Sequence, residues 1–251
     1  MTEKKPKILI AVLSFNEAVN IEATLGDLKT HNFGYDIVVI DDGSNDRTAD
    51  IARKNGVPVV SHCINSGNYS NAAMTYFLYA YRNGYDILCQ FDGDGQHQAA
   101  QLNKIIDPVK NGELDVVIGS RFLEGKGFQS FFLRRIGISM FSKIDSKITE
   151  TRLTDVTSGF RSYSRKVITF FGHVYKQELY DNTSQFLLIT HYTGGKMGEV
   201  PIEMRARQGG TSLFNIWKSV TFPLKGLVIV LGCILQQQLL KGKLLKYEHR
   251  S

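Results

Sequence analysis

"YDILCQFDGDGQH", residues 85–97, holds two incompatible patterns that meet at Phe91. Its first half is short and apolar and follows the Gly84 turn, the mark of a buried strand. Its second half sets Asp92 and Asp94 around a single glycine, with Gln96 and His97 just beyond. Asp and Gly are poor strand formers, and two like charges this close repel. A core strand that runs out into paired acids must end at something, and the neighbouring segments define the sheet in which it ends.

Upstream, "KILIAVLSF", "YDIVVID" and "VPVVSH" read as three more apolar strands. Between them lie helical segments. "EAVNIEATLGDLKTH" places Ile21, Leu25 and Leu28 on one face, "NDRTADIARKNG" is entered through Ser44 or Asn45 and closed by Gly56, and "SNAAMTYFLYAYRNG" follows. Downstream, a helix from about Ala99 to Asn111 ends at Gly112, and "LDVVIGSR" makes a fifth strand. Apolar strands alternating with amphipathic helices predict an α/β fold, with a mainly parallel sheet flanked by helices on both faces. In such sheets ligands bind beyond the carboxyl ends of the strands. Those ends read "SFNE", "DDGSND", "HCINSGN", "DGDGQH" and "GSR", so acidic and polar groups converge on one rim.

Composition allows this reading and narrows it. With 251 residues, 43% of them hydrophobic, the chain can bury a large core. The net charge of +6 suits an anionic partner. Three scattered cysteines in no metal-ligand spacing favour a reducing compartment, and "MTEKKPK" runs directly into the first strand without a signal-peptide pattern. The longest apolar run, "GLVIVLGCIL" at 226–235, is about half the ~20 residues that cross a bilayer. A cytoplasmic protein, soluble or peripherally bound to the membrane, is expected.

No Gly-x-Gly-x-x-Gly or Gly-Lys-Ser/Thr motif supports a dinucleotide dehydrogenase or a P-loop enzyme. The rim offers acids instead: Glu17, Asp41, Asp42, Asp92 and Asp94. Asp-x-Asp with a nearby amide suits a hard divalent cation, Mg²⁺ or Mn²⁺, which shares its oxygen ligands with a substrate's phosphates. The competing reading is a hydrogen-bonded turn before the next helix, which Asp and Gly commonly make.

Taken together, "FNE", "IDDGSNDRT", "NSG", "FDGDGQH" and "DVVIGSR", followed by "TDVTSGFRSYSRKVI" and "EVPIEMRARQGGTS", resemble family 2 glycosyltransferases over about four-fifths of the chain. The similarity is to the branch of dolichyl-phosphate mannose synthase-like and bacterial cell-surface polysaccharide enzymes. It implies a GT-A, Rossmann-like fold over residues 1–212, with a nucleotide-binding half of about 1–120 and an acceptor half of about 121–212. It also implies a nucleotide-sugar donor, most often a UDP-sugar, a lipid-linked or polyprenyl-phosphate acceptor, and inversion at the anomeric carbon. By the same resemblance Phe15, Glu17, Asp42, Asp92, Arg121 and Arg207 face the nucleotide or donor, with Arg134 or Arg135 a further phosphate contact. Asp92, Asp94 and Gln96 would hold the metal. Asp155 falls where the dolichyl-phosphate branch carries an acid beside the reaction centre; as a bare residue it could equally cap the turn through Ser158.

The chain departs from the family pattern in three places. "LSFNE" has Leu13 and Phe15 where proline and tyrosine are usual, and "NYSN" puts Tyr69 and Ser70 where relatives carry a glycine pair near the donor. "NTSQ" places Thr183 and Gln185 where polysaccharide relatives carry acids, and neither can act as a base at neutral pH. Either Asp155 or Asp181 is then the base, or the acceptor is already an anion. A non-catalytic, partner-binding member of the family is the rival reading. A nucleotidyltransferase is a weaker one, because "SFNEAVN" lacks the Gly-rich basic loop it needs.

Residues 213–251 combine Trp217, a short apolar stretch and repeated lysines. They read as an amphipathic helical tail, lying on the anionic inner face of the cell membrane or packed against the domain. A transmembrane partner subunit or a homo-oligomer is a further way to hold the protein there. Nothing in the charge pattern calls for nucleic acid.

Overall fold

A computed structural model of the chain describes residues 5–31, 34–65, 67, 69–124, 132–175, 184–206, 209, 226 and 228–237. Among these residues seven strands form one sheet: β1 (Ile8–Ser14), β2 (Asp36–Asp41), β3 (Val59–Ser61), β4 (Ile87–Asp92), β5 (Val116–Ser120), β6 (Arg161–Ser164) and β7 (Met197–Pro201). Their order is β3-β2-β1-β4-β6-β5-β7. All pairings are parallel except the two made by β6, which runs antiparallel between β4 and β5. The sheet is therefore mainly parallel, as expected, with one reversed strand that the apolar pattern does not show.

Both faces of the sheet are covered. Along β1, Leu9, Ala11 and Leu13 enter one apolar layer, while Ile8, Ile10 and Val12 enter the other. This is the two-residue period of a strand buried on both sides. The helices α1 (Ile21–Thr30), α2 (Thr48–Lys54) and α4 (Leu102–Lys110) supply the second layer. The first receives α3 (Tyr69–Arg82), α5 (Phe132–Thr149), α6 (Arg165–Thr169) and α7 (Ser184–Tyr192). A turn of π-helix, Phe170–Val174, continues α6 and adds Phe170 and Phe171 to the same layer.

Two helix starts fall later than the sequence suggests. Residues 17–20 form a turn closed by Asn20 and Ile21 donating to the Glu17 carbonyl, so α1 begins at Ile21. Ser44 and Asn45 do not open α2: Ser44 Oγ accepts from Asn16 N, and Asn45 N donates to Asn16 Oδ1. They tie the two rim loops together, and α2 starts at Thr48.

Residues 228–237 form a helix. Its Val230 and Cys233 pack with Leu188 of α7, against Ile144 and Ile148 of α5. Among the described residues, no helix is long and apolar enough to cross a membrane. Trp217 and the flanking lysines lie outside the described residues.

Candidate active site

The carboxyl ends of β1, β2, β3 and β4 lie side by side, as the parallel register requires. Asp41 ends β2 opposite Ser14 of β1 and Asp42 follows it, its N donating to the Ser14 carbonyl at 2.9 Å. Asn16 sits at φ 54°, a left-handed conformation that Asn tolerates, and so turns the loop toward β2. Phe15 is half-buried in this loop, whereas Glu17 is buried and takes Asn20 Nδ2 on its carboxylate at 2.7 Å. Glu17 N donates to Thr48 Oγ1 at 2.8 Å.

Asp92 ends β4 with a partly exposed side chain. The glycine after it is fixed by space: a Cβ on Gly93 would stand 2.2 Å from Ser14 Oγ and 3.0 Å from the Leu13 carbonyl. Gly159 is constrained from the other side, because its Cβ would meet Asp92 Oδ2 at 2.8 Å. The two acids differ in their surroundings. Asp94 Oδ1 accepts from Gln96 N at 3.1 Å, the hydrogen-bonded turn weighed as the alternative to a cation site. Asp92 instead donates its backbone N–H to His97 Nδ1 at 3.0 Å. His97 therefore carries its ring proton on Nε2, which lies 3.6 Å from Asp92 Oδ2. The imidazole stacks on Phe160 and meets Phe91 edge-on. Burial pushes its pKa down to about 4; Asp94 opposes that and Arg121 adds to it. The ring is neutral at pH 7.

Arg121, just after β5, is buried and so is Asp155. Their contact is bidentate: Nε to Oδ2 at 2.6 Å and a terminal nitrogen to Oδ1 at 2.7 Å, with Arg121 N also donating to Oδ2. Thr157 Oγ1 takes a further guanidinium proton at 2.8 Å. Burial lowers the Arg121 pKa, but the hydrogen bonds and charge of Asp155 and the nearby Asp92 outweigh it and raise it overall. The guanidinium is thus a fixed cation beside Asp92. The expected alternative role of Asp155, capping the turn through Ser158, falls to its backbone carbonyl; the side chain belongs to Arg121.

Glu199 of β7 holds this loop and was missed by sequence reasoning. Its carboxylate accepts from Thr154 N, Thr154 Oγ1 and Asp155 N at 2.6–2.8 Å. Burial, the largest influence, raises its pKa against those hydrogen bonds. The signal available was its place in "EVP", an acid inside an otherwise apolar strand.

Gln96 lies beside the segment that follows β7: Arg205 N donates to the Gln96 carbonyl at 2.8 Å. Arg207 and Asp181, both assigned to the site from the sequence, lie outside the described residues, as do Thr183 and the Arg134 side chain. Gln185 is buried in α7 and Arg135 is exposed on α5. Among the described residues, no three acidic, histidine or cysteine side chains gather closely enough to hold a metal. Asp92 and Asp94 form a two-carboxylate set of hard oxygens, which fits Mg²⁺ or Mn²⁺ only when the ion's other ligands come from elsewhere, as phosphates and waters do.

Comparison with known proteins agrees with this architecture. The chain is 29% identical over 214 residues to the UDP-N-acetylglucosamine–dolichyl-phosphate N-acetylglucosaminyltransferase of Methanococcus voltae, covering 78% of this chain and 84% of the relative. It is 28% identical over 212 residues to the undecaprenyl-phosphate mannosyltransferase of Micrococcus luteus, covering 82% and 86%. Glucosyl-3-phosphoglycerate synthase of Mycobacterium tuberculosis, solved with Mn²⁺, UDP and glucosyl-3-phosphoglycerate, superposes with a TM-score of 0.69 at 16% identity, over 91% of this chain and 80% of that one. That likeness establishes the GT-A fold. The glycosyl transferase family 2 model matches residues 9–171, a span that runs from β1 through Arg121 and Asp155. The chain belongs to glycosyl transferase family 2 and is a glycosyltransferase.

Proposed function

We propose that this enzyme moves a sugar from a nucleoside-diphosphate sugar, a UDP-sugar in the first instance, to the phosphate of a polyprenyl phosphate, with inversion at the anomeric carbon. The observation that carries this is the pair Asp92 and Asp94 at the end of β4, beside a guanidinium, Arg121, that is locked in place. Relatives named for dolichyl- and undecaprenyl-phosphate acceptors support the choice of acceptor.

In this reading Phe15, Glu17 and Asp42 line the nucleotide end, and Asp92, Arg121 and Arg207 the diphosphate. A phosphate oxygen of the acceptor attacks the anomeric carbon from the face opposite the diphosphate. The bond from that carbon to the diphosphate oxygen breaks, and the nucleoside diphosphate leaves with the electron pair. Arg121 stabilises the charge that develops there, and being already oriented it needs no rearrangement. Asp92 and Asp94, with Gln96, are the residues that would hold Mg²⁺ or Mn²⁺, whose chemistry at this place is to neutralise the departing diphosphate.

An anionic acceptor needs no general base. That agrees with Thr183 and Gln185 at the acidic positions, and with an Asp155 whose two oxygens are both held by Arg121. Asp155 acts here as a positioning residue. A neutral hydroxyl acceptor would require Asp181 instead.

The outer side of helix 228–237 exposes Val228, Leu231 and Leu235, one stripe at helical spacing. Lys218, Lys225, Lys241, Lys243 and Lys246 flank it in sequence. This combination supports peripheral binding to an anionic membrane, where a polyprenyl-phosphate acceptor resides.

The test is thermal unfolding with UDP, GDP, dTDP or CMP, each with Mn²⁺, Mg²⁺ or EDTA, followed by sugar transfer to polyprenyl phosphate. A nucleotide at 100 times its dissociation constant adds about 2.7 kcal/mol, or roughly 5–10 °C for a chain of this size. The shift should need the metal and vanish in Asp94→Ala. No shift with any nucleotide would overturn the donor site. Binding without transfer would mark a non-catalytic family member.

A further inference from the structure

Arg121 and Asp92, the fixed cation and the acid beside it, are joined by one short loop, residues 154–159. Asp155 and Thr157 take the guanidinium from this loop. At its far end a Cβ on Gly159 would stand 2.8 and 3.0 Å from the two carboxylate oxygens of Asp92, so the backbone there packs directly against that acid. The place of the loop therefore sets the offset between the two groups.

The loop's internal hydrogen bonds are long. Ser158 N donates to the Asp155 carbonyl at 3.2 Å, and Thr157 Oγ1 donates to Asp155 Oδ1 at 3.1 Å. Shorter contacts come from outside, at both ends. Arg161, buried in β6, donates Nε to the Ser158 carbonyl at 2.8 Å and a terminal nitrogen to the Val156 carbonyl. Glu199 takes the other end, accepting from Thr154 N and Asp155 N at 2.8 Å and from Thr154 Oγ1 at 2.6 Å. Glu199 lies opposite Ile118 in the β5–β7 ladder, three residues before Arg121. Thr154 Oγ1 is also 2.6 Å from Ser120 Oγ, which accepts from Phe122 N. One carboxylate thus holds the loop and, through Thr154, the chain on either side of Arg121.

We propose that Glu199 is a positioning residue for Arg121: by fixing residues 154 and 155 to β7, it sets where the guanidinium stands relative to Asp92. The consequence for sugar transfer rests on the reaction proposed above, whereas the geometric link does not. Arg161 holds the carbonyls of 156 and 158 independently. Loss of Glu199 therefore releases the Asp155 end alone, and the loop pivots instead of unfolding. A guanidinium displaced by about 1 Å still attracts the nucleotide but misses the oxygen on which charge develops, at a cost of about 10²-fold in rate.

The experiment compares wild type, Glu199→Gln and Glu199→Met. Gln keeps a carbonyl for the two backbone N–H groups and an amide for Thr154 Oγ1, while Met keeps only the length. Hydrogen exchange at the Arg121 Nε–H, read by NMR on the unliganded chain against the core amides of β1, reports the link. In Glu199→Met the Arg121 signal should lose at least about tenfold in protection beyond any change at β1. Glu199→Gln should stay within about threefold of wild type. Exchange at Arg121 that only follows β1 would mean a merely structural role and overturn the proposal. Gln as damaging as Met would overturn it too, since acceptor geometry would not be what matters. If Glu199→Met does not fold, Glu199→Asp, shorter by one methylene, carries the same comparison. In transfer from a UDP-sugar to polyprenyl phosphate, Glu199→Met should lower kcat about 10–100-fold with the donor KM within about threefold. A wild type that transfers no sugar would overturn the proposed reaction, and the exchange data would still decide the role of Glu199.

Discussion

Replacing Asp155 with Asn separates two roles open to this buried acid, clamping Arg121 or acting as a general base. The side chain is fully buried and its partner Arg121 is 7% exposed, so neither charge has much water to fall back on. Asn keeps the shape but removes the charge, and its amide puts hydrogens against a guanidinium donor. Removing one partner of a buried ion pair costs about 3–5 kcal/mol, because the other charge is left uncompensated. Asp92 offsets part of that cost for Arg121 from a distance. Urea unfolding at pH 7 reads the effect directly. With a slope of about 3 kcal/mol per molar, the midpoint should fall by about 1–1.7 M at unchanged slope. The double variant Arg121→Met with Asp155→Leu should regain most of the loss, since apolar groups of similar volume remove both desolvated charges. A general base would behave in the opposite way: stability would hold, and transfer would slow by roughly 10²–10⁴. An Asp155→Asn protein within about 1 kcal/mol of wild type would refute the clamp.

Three other outcomes are expected. Gly93→Ala should lose about 1–3 kcal/mol of stability and weaken UDP binding, and Ser14→Ala should restore part of both by removing the hydroxyl that the new Cβ strikes; calorimetry on the two variants checks this. In EDTA, His97 should make stability depend on acid. Its folded pKa of about 4 lies below the ~6.5 of an unfolded histidine, so its contribution is complete above pH 6.5 and is lost as pH falls toward 4. That loss is about 3 kcal/mol, and it should appear as the difference between wild type and His97→Gln in unfolding free energy at pH 7 and pH 4.5. Leu231→Glu with Leu235→Glu should reduce flotation with anionic vesicles several-fold while leaving the UDP thermal shift unchanged; undiminished flotation would rule out that face.

The parallel half of the sheet was readable because each strand from β1 to β5 is a run of apolar residues ending in Asp, Ser or Gly, and each helix between them has one apolar stripe. The same rule located Asp42, Asp92 and Asp94, since strand ends in parallel sheets converge. β6 escaped because "RSYS" is four residues long and mostly polar. Its Ser162 and Tyr163 are buried by hydrogen bonds to the Ile105 carbonyl and to Gln90, a form of burial that hydropathy does not register. The Arg121–Asp155 pair was hidden by a sequence separation of 34 residues.

The reversed strand also sets the order in which this chain can be assembled. β1 to β4 pair among themselves, so residues 8–92 can form a sheet as they leave the ribosome. β5 cannot follow them, because its partners are β6 and β7, both made later, and it never touches β4 in the ladder. The free edge of β4 therefore waits for residue 161, about 70 residues of synthesis, or roughly 3–14 s at 5–20 residues per second. For that interval the acids of "DGDGQH" sit at the end of an open strand, and charges there discourage pairing with another chain. The pair proposed to serve the donor would thus also protect its own strand while the chain is being made.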